Sequence, residues 1–473
     1  MTKAFEESLS LFKDKISDCI KSKKSISITT HIDCDGLTSG SIIAKALIRE
    51  GARCTIRTSK EFSKNVIDSF KTDSRDFHII TDLGGGFGKD LNQTLGDNWI
   101  ILDHHQISEE EKDNQNIINS WKYGIDGGSE ICAGGMAYFA AMALDEKNSD
   151  LSEIAVVSAL GDRQDQGDRK SFTGKNFEIA NTAKELGLVE MDLDLLLVGR
   201  ETRPLAEAIA FTSQPFIEGL TWNKETSLSI LKSSGIKLKE EGRWRVPAEL
   251  NEEEKKLVIK AITDFSPDKN TTEVMSELIG YTYTFPKEDK RSFLRDGREY
   301  STMLNSCGRI NRSGVGMAIC MGDRNQVLTE GEGILTDYRK KIKEYMNVLS
   351  NERWRISENE NCIMVNGEDI VPETMTGTIS SLIAGSPKNT GKIVILRTRG
   401  EENTIKFSSR KSFGCKSEIN LSELMRNGAE RFEGIGGGHN GAAGAKITKD
   451  KLDEFLKYLE VNVVNVSSTN NSE

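Results

Sequence analysis

The sequence lacks long apolar runs, paired cysteines and a secretory leader, and each absence excludes a class of protein. No stretch of the 473 residues approaches the ~18 consecutive apolar residues that a membrane helix needs. The segment Met1–Leu11 mixes Lys, Glu and Ser with apolar residues, unlike a signal peptide. The eight cysteines are scattered without a C-x-x-C pair, which argues against a disulfide scaffold or a zinc ribbon. We therefore expect a cytoplasmic protein with reduced cysteines and no membrane association.

The net charge of −10 argues against a surface coated with DNA-binding charge. Basic residues are nevertheless unevenly placed. The segment Lys388–Arg431 has ten Lys or Arg against five Asp or Glu, and Lys287–Arg312 has seven against four. Because an acidic protein can still offer a basic groove, the overall charge does not exclude a nucleic-acid substrate.

The first 200 residues alternate short apolar runs with helical patterns. The runs that predict strands are Ser25–Thr30, Cys54–Thr58, Phe77–Asp82 and Trp99–Asp103. The stretches that predict helices are Leu37–Arg49, after a turn that contains Gly36, Gly135–Leu144 and Leu151–Leu160. This alternation predicts an α/β fold with an open parallel sheet covered on both faces. Such sheets bind ligands at the carboxyl ends of their strands.

The rest of the chain predicts two further parts. The middle part is less regular, with a break at Pro204 and a charged helix at Glu252–Asp264. The third part contains strand-like runs at Cys362–Val365, Lys392–Thr398 and Thr404–Ser408. They are followed by a glycine-rich segment and a final helix, Lys451–Leu459. We expect domains at residues 1–200, 201–345 and 346–465, followed by a disordered tail at 466–473.

Histidine is scarce, and four of the five histidines fall in short motifs; His78, within a strand-like run, is interpreted as structural. The first motif places His31, Asp33 and Asp35 directly after a predicted strand. If the chain there is still extended, these three side chains share one face. Other acidic or imidazole side chains also follow predicted elements: Asp82, Asp103, His104, His105 and Asp162. In a parallel sheet all these groups would collect at one edge.

This combination of side chains predicts a site for divalent cations. Oxygen and imidazole ligands without thiolate suit Mn²⁺ or Mg²⁺ better than structural zinc. Crowded carboxylates repel one another unless cations neutralise them. Two divalent ions about 3.5–4 Å apart can clamp a phosphate and activate a water. A single acidic strand end is more often a turn former or a helix cap, but the joint occurrence favours the metal site.

These motifs resemble those of the DHH phosphoesterase superfamily, which is named for the tripeptide at 103–105. The other matched elements are His31-x-Asp33-x-Asp35, Asp82, Asp162 and Gly436-Gly437-Gly438-His439, in the family's order. The segment Leu304–Arg309 resembles the N-A-A-G-R element of RecJ-type exonucleases, and the chain looks most like their archaeal, GINS-associated group. It departs from the bacterial pattern at His31, where an Asp is frequent.

The resemblance implies a parallel-sheet DHH domain, a middle segment and a smaller C-terminal α/β DHH-associated domain. It also implies the metal ligands His31, Asp33, Asp35, Asp82, His104 and Asp162, with Asp82 bridging two ions. His105 would contact the scissile phosphate and Asp103 would orient its neighbours. The implied substrate-binding residues are Arg309, Ser408, Arg410, Gly437, Gly438 and His439. An Arg fork fits phosphate oxygens, and a glycine run lets a nucleic-acid strand approach the backbone.

We therefore expect a single-strand-specific exonuclease for DNA or RNA. It would use two divalent cations, with Mn²⁺ favoured over Mg²⁺. The subgroup resemblance adds GINS and the MCM helicase as expected partners in DNA replication and repair. Two alternatives use the same sequence features: a phosphodiesterase for short oligonucleotides or cyclic dinucleotides, and a scaffold subunit of the replicative helicase. The complete ligand set argues against a purely structural role.

Overall fold

The computed structural model describes residues 2–266 and 271–464, which fall into two compact units. The first unit is Met1–Leu335 and the second is Thr336–Glu473. The tail predicted at 466–473 lies outside the described residues, and the predicted division into three domains stays a prediction. Among the described helices none is long and apolar enough to cross a membrane. All eight cysteines are free thiols, and six of them are buried.

Five parallel strands form the central sheet of the first unit. They are β1 (Ser25–His31), β2 (Arg53–Ser59), β3 (Phe77–Thr81), β4 (Trp99–Asp103) and β5 (Ile117–Asn119). Their order is β2-β1-β3-β4-β5, and every neighbouring pair is parallel. The four predicted strands and the parallel sheet are confirmed, and β5 was not predicted.

Helices cover both faces of this sheet, which explains its uninterrupted apolar runs. Ile80 and Ile101 belong to one buried cluster with side chains of α3 (Lys64–Lys71) and α4 (Gly88–Leu95). Their neighbours Ile79 and Ile100 are also fully buried and face the opposite side, because side chains alternate along a strand. On that side α2 (Cys34–Arg49) packs against β1, β2 and α5 (Ala133–Leu144).

The start of α2 differs from the prediction. The chain is not extended through Asp35, and the expected turn at Gly36 is the first turn of the helix. Asp33 is the N-cap, and its side chain accepts a hydrogen bond of 3.1 Å from the Gly36 amide. The prediction that residues 31, 33 and 35 share an extended face was therefore wrong.

The remaining elements of the first unit are mainly helical. Those described are α1 (Lys3–Lys21), α6 (Ser152–Gly161), α7 (Gly174–Glu185), β6 (Glu190–Leu195), α8 (Leu205–Phe211), α9 (Lys224–Ser233), β7 (Lys239–Glu240), β8 (Arg243–Trp244), α10 (Glu252–Phe265), α11 (Thr271–Leu278), β9 (Ile279–Thr284), α12 (Gly297–Arg309) and α13 (Ser313–Met321). Two small antiparallel sheets pair β6 with β9 and β7 with β8. Helix α14 (Gln326–Asn351) spans the boundary between the units in sequence.

A six-stranded mixed sheet organises the second unit. Its strands are β10 (Ile356–Glu358), β11 (Cys362–Asn366), β12 (Ile393–Arg399), β13 (Thr404–Lys411), β14 (Ile435–His439) and β15 (Ala442–Thr448), in the order β10-β11-β12-β13-β15-β14. Helices α16 (Leu421–Arg431) and α17 (Leu452–Val464) supply Met425 and Phe455 to a core that includes Phe407. Helix α15 (Thr376–Ala384) packs against β12 and β13. The predicted strands are confirmed, and the glycine-rich segment is the edge strand β14.

Candidate metal centre

The sequence-predicted metal ligands all lie at the carboxyl edge of the parallel sheet or at helix ends beside it. His31 ends β1, Asp33 caps α2, and Asp35 lies in the first turn of that helix. Asp82 follows β3 with a positive φ of 62°. His104 follows β4, and Asp162 is the residue that ends α6. Strand ends and helix termini, rather than one extended segment, therefore bring these side chains together.

One group of possible ligands consists of His31, Asp33 and Asp82. Their ligand atoms lie within 4.8 Å of one another. His31 Nδ1 lies 3.0 Å from Asp33 Oδ2 and 3.5 Å from Asp82 Oδ2. Burial lowers the pKa of His31, but the two carboxylates outweigh this effect and raise the pKa to about 10. The group thus concentrates negative charge that a cation could neutralise.

A second group consists of Asp35, His104 and Asp162, and its ligand atoms meet the same 4.8 Å limit. His104 Nε2 lies 3.3 Å from Asp35 Oδ2 and 3.3 Å from Asp82 Oδ1, and Nδ1 lies 3.8 Å from Asp162 Oδ2. His104 Nδ1 donates a hydrogen bond of 2.6 Å to Gly127 O. That bond leaves the lone pair of Nε2 for a cation beside the two carboxylates.

Asp82 connects these two groups. Its Oδ2 faces His31, while its Oδ1 faces His104 and lies 3.9 Å from His105 Nδ1. The side chain is 2% exposed, and Oδ2 has no hydrogen-bond partner among the described residues. A buried carboxylate oxygen that makes no hydrogen bond is costly, and a cation there would satisfy it in addition to its ion-pair contact with His31. The possible donor atoms of the site are carboxylate oxygens and imidazole nitrogens, and this set fits Mn²⁺ or Mg²⁺.

The N-terminus of α5 holds Asp35 in place. Asp35 Oδ2 accepts a hydrogen bond of 2.8 Å from the Ala133 amide, and Oδ1 accepts one of 2.9 Å from the Gly134 amide. Ser158 Oγ also donates to Oδ1. Burial and then the charge of Asp82 raise the pKa of Asp35 to about 7. The sequence analysis did not identify Ser158, and its position inside an apolar helix was the signal that could have revealed it.

Asp103 and His105 form a separate pair beside the ligands. Asp103 Oδ1 accepts hydrogen bonds of 2.8 Å from the His104 amide and 2.8 Å from His105 Nδ1. Burial opposes ionisation of Asp103, but the charge of His105 holds its pKa below the usual range. The His105 side chain is 50% exposed, whereas Asp103 is 3% exposed. Asp103 can therefore orient a ring that solvent or substrate can reach.

Helix α12 places the RecJ-like element against the first motif. Asn305 Oδ1 accepts a hydrogen bond of 3.1 Å from the Cys34 amide. A Cβ at Gly308 would lie only 1.5 Å from Ile32 O, so the helix and this segment are in close backbone contact. Burial opposes ionisation of Asp33, but the nearby His31, and to a lesser extent the charge of Arg309, hold the pKa of Asp33 below its usual range. The role of Asn305 was not assigned from sequence.

The side chains next to Asp162 have structural partners. Asp165, which the sequence analysis did not propose as a ligand, forms an ion pair of 2.6 Å with Arg298. Gln164 Nε2 donates hydrogen bonds of 2.7 Å to Asp162 Oδ2 and 2.8 Å to Gly127 O. Gln164 thus links a possible ligand to the carbonyl that orients His104. The sequence analysis did not identify this role of Gln164.

The residues predicted to bind substrate, apart from Arg309, lie in the second unit. Ser408 and Arg410 share one face of β13, and Arg410 Nη1 donates a hydrogen bond of 3.1 Å to Ser408 Oγ. On β14, Gly437 and His439 face the same side, because both pair through β15 with those two residues. Gly438 pairs with Ala443 and belongs to the opposite face, so it is not brought together with the others.

A mixed α/β unit that gathers aspartate and histidine side chains at its strand ends is typical of a known class of protein domains. The DHH family, N-terminal domain matches residues 25–161, the DHH-CID domain matches 197–278, and the DHHA1 domain matches 362–465. A protein from Methanocaldococcus jannaschii, itself of uncharacterised function, is 29% identical over 461 residues, which cover 94% of this chain and 96% of that protein.

Solved structures share the fold across nearly the whole chain. RecJ from Thermus thermophilus in complex with Mn²⁺ has a TM-score of 0.59 at 14% identity; the match covers 97% of this chain and 55% of RecJ. CDC45 from Entamoeba histolytica has a TM-score of 0.61 at 14% identity, with 98% and 99% covered. An exonuclease RecJ bound to manganese has a TM-score of 0.58 at 14% identity, with 98% and 97% covered. The chain therefore has a RecJ-like fold, and three of its segments match the DHH, DHH-CID and DHHA1 domains.

Proposed function

We propose that this chain is a metal-dependent, single-strand-specific exonuclease that hydrolyses phosphodiester bonds with two divalent cations. The observation that carries the proposal is the position of Asp82 between two sets of possible ligands. One cation would be held by His31, Asp33 and Asp82, and the other by Asp35, His104, Asp162 and Asp82. Mn²⁺ is the favoured metal and Mg²⁺ can replace it, since both accept oxygen and imidazole ligands.

The residues around the ligands then have separate tasks. Bound divalent cations lower the pKa of a water molecule and offset charge on phosphoryl oxygens. His105 is partly exposed, so it can contact the scissile phosphate, and Asp103 fixes the orientation of its ring. Arg309 donates to a phosphate oxygen, for which its planar guanidinium is suited. These contacts would position the phosphodiester through residues that are not themselves proposed metal ligands.

The second unit contributes to substrate binding in this proposal. Ser408, Arg410 and His439 bind the sugar-phosphate backbone, and the glycines of β14 allow the strand to come close. The support is that β13 and β14, which pair through β15, carry these side chains on one face of one sheet. A single strand offers a flexible backbone to such a face, whereas a duplex does not.

A hydrolysis assay tests this function. A long single-stranded DNA and an RNA of equal sequence, labelled separately at each end, are incubated with Mn²⁺, Mg²⁺ or EDTA. We expect mononucleotides released from one end and complete inhibition by EDTA. The variants Asp82→Asn and Asp103→Asn should lose at least ~10²-fold in rate. The matched control is Asp68→Asn, because Asp68 is 59% exposed on α3, away from the strand ends. Wild-type rates in both site variants would overturn the proposal.

The sizes of the products distinguish the second candidate activity, a phosphodiesterase for short substrates, from the single-strand exonuclease. A phosphodiesterase for short oligonucleotides or cyclic dinucleotides would cleave a dinucleotide and leave the long strand intact. The same ligand residues would serve either enzyme, so the ligand variants alone do not distinguish them. Cleavage of a dinucleotide with no cleavage of the long strand would establish the short-substrate enzyme.

We further propose that the chain acts in the cytoplasm, in DNA replication or repair, with GINS and the MCM helicase. Support for this comes from the fold shared with CDC45 and from the subgroup resemblance of the sequence. The alternative is a scaffold role without catalysis. The presence of every proposed metal ligand argues against this alternative. Co-purification of GINS or MCM subunits at low salt tests the partnership, and their absence from the eluate would contradict it.

A further inference from the structure

A groove opens in the second unit between the first strands of its sheet and helix α17. The volume of the groove is about 190 Å³, and its floor reaches the apolar core at Ile395 and Phe407. Because Phe407 lies on the core side of β13, the groove is on the opposite side of the sheet from Ser408 and Arg410. It is therefore separate from the face of β13 and β14 to which substrate binding is assigned above.

One wall of the groove is the indole ring of Trp354, a residue that is 70% exposed. The Arg355 guanidinium carbon lies 4.2 Å from the centre of this ring in a cation–π contact. Arg355 is itself held by Glu352 Oε2 at 2.6 Å and by the carbonyl of Glu368 at 3.1 Å. The ring is thus supported from one side, while most of its surface stays open to solvent. Nucleic-acid bases stack on aromatic surfaces of this kind.

The sheet side of the groove offers hydrogen-bond donors. Asn366 and Arg397 both line it and are neighbours across β11 and β12. Asn366 Oδ1 accepts a hydrogen bond of 3.0 Å from the Glu368 amide, which leaves the Asn366 Nδ2 group as a donor. Arg397 Nε donates a hydrogen bond of 2.9 Å to Glu368 Oε1, and within residues 2–266 and 271–464 its two Nη groups have no acceptor. Several N–H groups on this side can therefore bind acceptor atoms of a small molecule.

The helix side of the groove offers an acceptor. Glu460 is exposed on α17 and lines the groove, and no other described residue forms an ion pair or a hydrogen bond with its carboxylate. An ionised carboxylate only accepts hydrogen bonds. Guanine has two N–H donors at N1 and N2 and two acceptors at O6 and N7, whereas adenine and cytosine each offer one amino group. A carboxylate on one wall and N–H donors on the other match guanine better than the other bases.

We propose that this groove binds a guanine base. The base stacks on Trp354, and Glu460 accepts hydrogen bonds from its N1 and N2 groups. Asn366 and Arg397 donate to its O6 and N7 atoms. Pockets that enclose a whole drug-sized molecule usually measure ~300–1,000 Å³, so this groove takes the base alone and leaves the sugar and phosphate outside. A guanosine nucleotide or a guanine within a single strand can supply the base. The inference does not depend on the proposed function, because it uses no residue of the metal centre.

Titration calorimetry on the full chain tests this site. The monophosphates GMP, AMP, CMP and UMP are titrated separately in EDTA, which keeps the metal centre free of cations. We expect GMP to bind most tightly, by at least ~5-fold over the other three. Trp354→Ala should weaken GMP binding at least ~5-fold, and Trp354→Phe, which keeps an aromatic ring, should retain most of the affinity. Glu460→Gln should weaken GMP binding about tenfold and reduce the preference for GMP over AMP.

The matched controls change similar side chains elsewhere. Trp244→Ala removes an aromatic residue that is 43% exposed in the first unit. Glu454→Gln neutralises a carboxylate that is 57% exposed on α17 and is not part of the groove lining. Both controls should bind GMP as the wild type does. Asp82→Asn should also bind GMP normally in EDTA, because the groove is separate from the metal centre. Thermal unfolding of each variant checks that the fold is intact.

A second titration identifies the source of the base. A strand of twelve thymidines is compared with the same strand carrying one central guanine. Tighter binding of the guanine strand, lost in Trp354→Ala, would support the groove and assign the base to a strand. Equal binding of the two strands, with GMP bound as expected, would support the groove and assign the base to a nucleotide.

Four results would overturn the proposal while leaving the exonuclease function to its own hydrolysis assay. The first is equal Kd values for the four monophosphates together with equal binding of the two strands. The second is wild-type GMP binding in both Trp354→Ala and Glu460→Gln. The third is loss of GMP binding in Asp82→Asn, which would place the nucleotide at the metal centre. The fourth is the absence of binding of GMP and of the guanine strand.

Discussion

Replacing Gly308 with alanine tests whether α12 holds the first ligand motif in place. The new Cβ would lie 1.5 Å from Ile32 O, whereas contacts shorter than 3.0 Å are essentially never observed. The helix or the motif must therefore retreat by roughly 1.5 Å, and overpacking of this kind typically costs 1–3 kcal/mol. The shift also strains the hydrogen bond from the Cys34 amide to Asn305, which adds about 1 kcal/mol. We expect the free energy of unfolding to fall by about 3 kcal/mol.

The assay is urea-induced unfolding of the full chain, with and without Mn²⁺. Gly333→Ala is the matched control, because Gly333 is exposed within α14 and a Cβ there meets no atom within 4 Å. That control should be more stable than the wild type by about 0.5–1 kcal/mol, as alanine is favoured over glycine in a helix interior. A Gly308→Ala protein as stable as the wild type would refute the role given to α12.

Three further predictions concern the cation site and one ion pair. Mn²⁺ should raise the thermal unfolding midpoint of the wild type, with a stabilisation of about 2.7 kcal/mol at a hundredfold excess over Kd; Asp82→Asn should remove most of this shift, and a full shift in that variant would count against the site. Ser158→Ala, which deletes a donor to Asp35, should weaken Mn²⁺ binding about 10- to 100-fold by calorimetric titration, and unchanged affinity would contradict its positioning role. Arg245 hydrogen bonds lower the pKa of Glu254, so the stability this pair contributes is present above about pH 4.3 and is lost as the pH falls further. The stability difference between wild type and Arg245→Met should therefore shrink between pH 5 and pH 3 in urea unfolding, and a constant difference would disprove the linkage.

The parallel sheet and its functional edge could be predicted from sequence because both depend on local pattern. Consecutive apolar pairs such as Ile79-Ile80 and Ile100-Ile101 indicate strands buried on both faces, which parallel sheets require. Once the strands are parallel, residues that follow them must meet at one edge, as Asp82 and His104 do. The positions of His31, Asp82 and His104 thus follow from strand ends, whereas Asp33, Asp35 and Asp162 lie at the ends of helices.

Other parts of the site depend on contacts that no local pattern encodes. The Asp33 side chain caps the Gly36 amide, so α2 begins earlier than its apolar periodicity indicates and places Asp35 in a helical turn. Ser158 lies in an apolar helix, and only the tertiary fold brings its hydroxyl to Asp35. The register of β13 and β15 is likewise set by pairing across the sheet. For that reason the sequence did not predict that Lys446 lies beside Lys406.

The bond between the Cys34 amide and Asn305 joins positions that are 271 residues apart in the chain. Contacts of such long sequence separation form late, because a large loop must close before they can contribute. During synthesis, the segment around His31 and Asp33 leaves the ribosome long before α12 exists to pack against it. A fragment that ends just after Asp162 would contain every proposed ligand side chain but lack the helix against which the first motif packs. We therefore expect such a fragment to bind cations more weakly than the chain that includes α12.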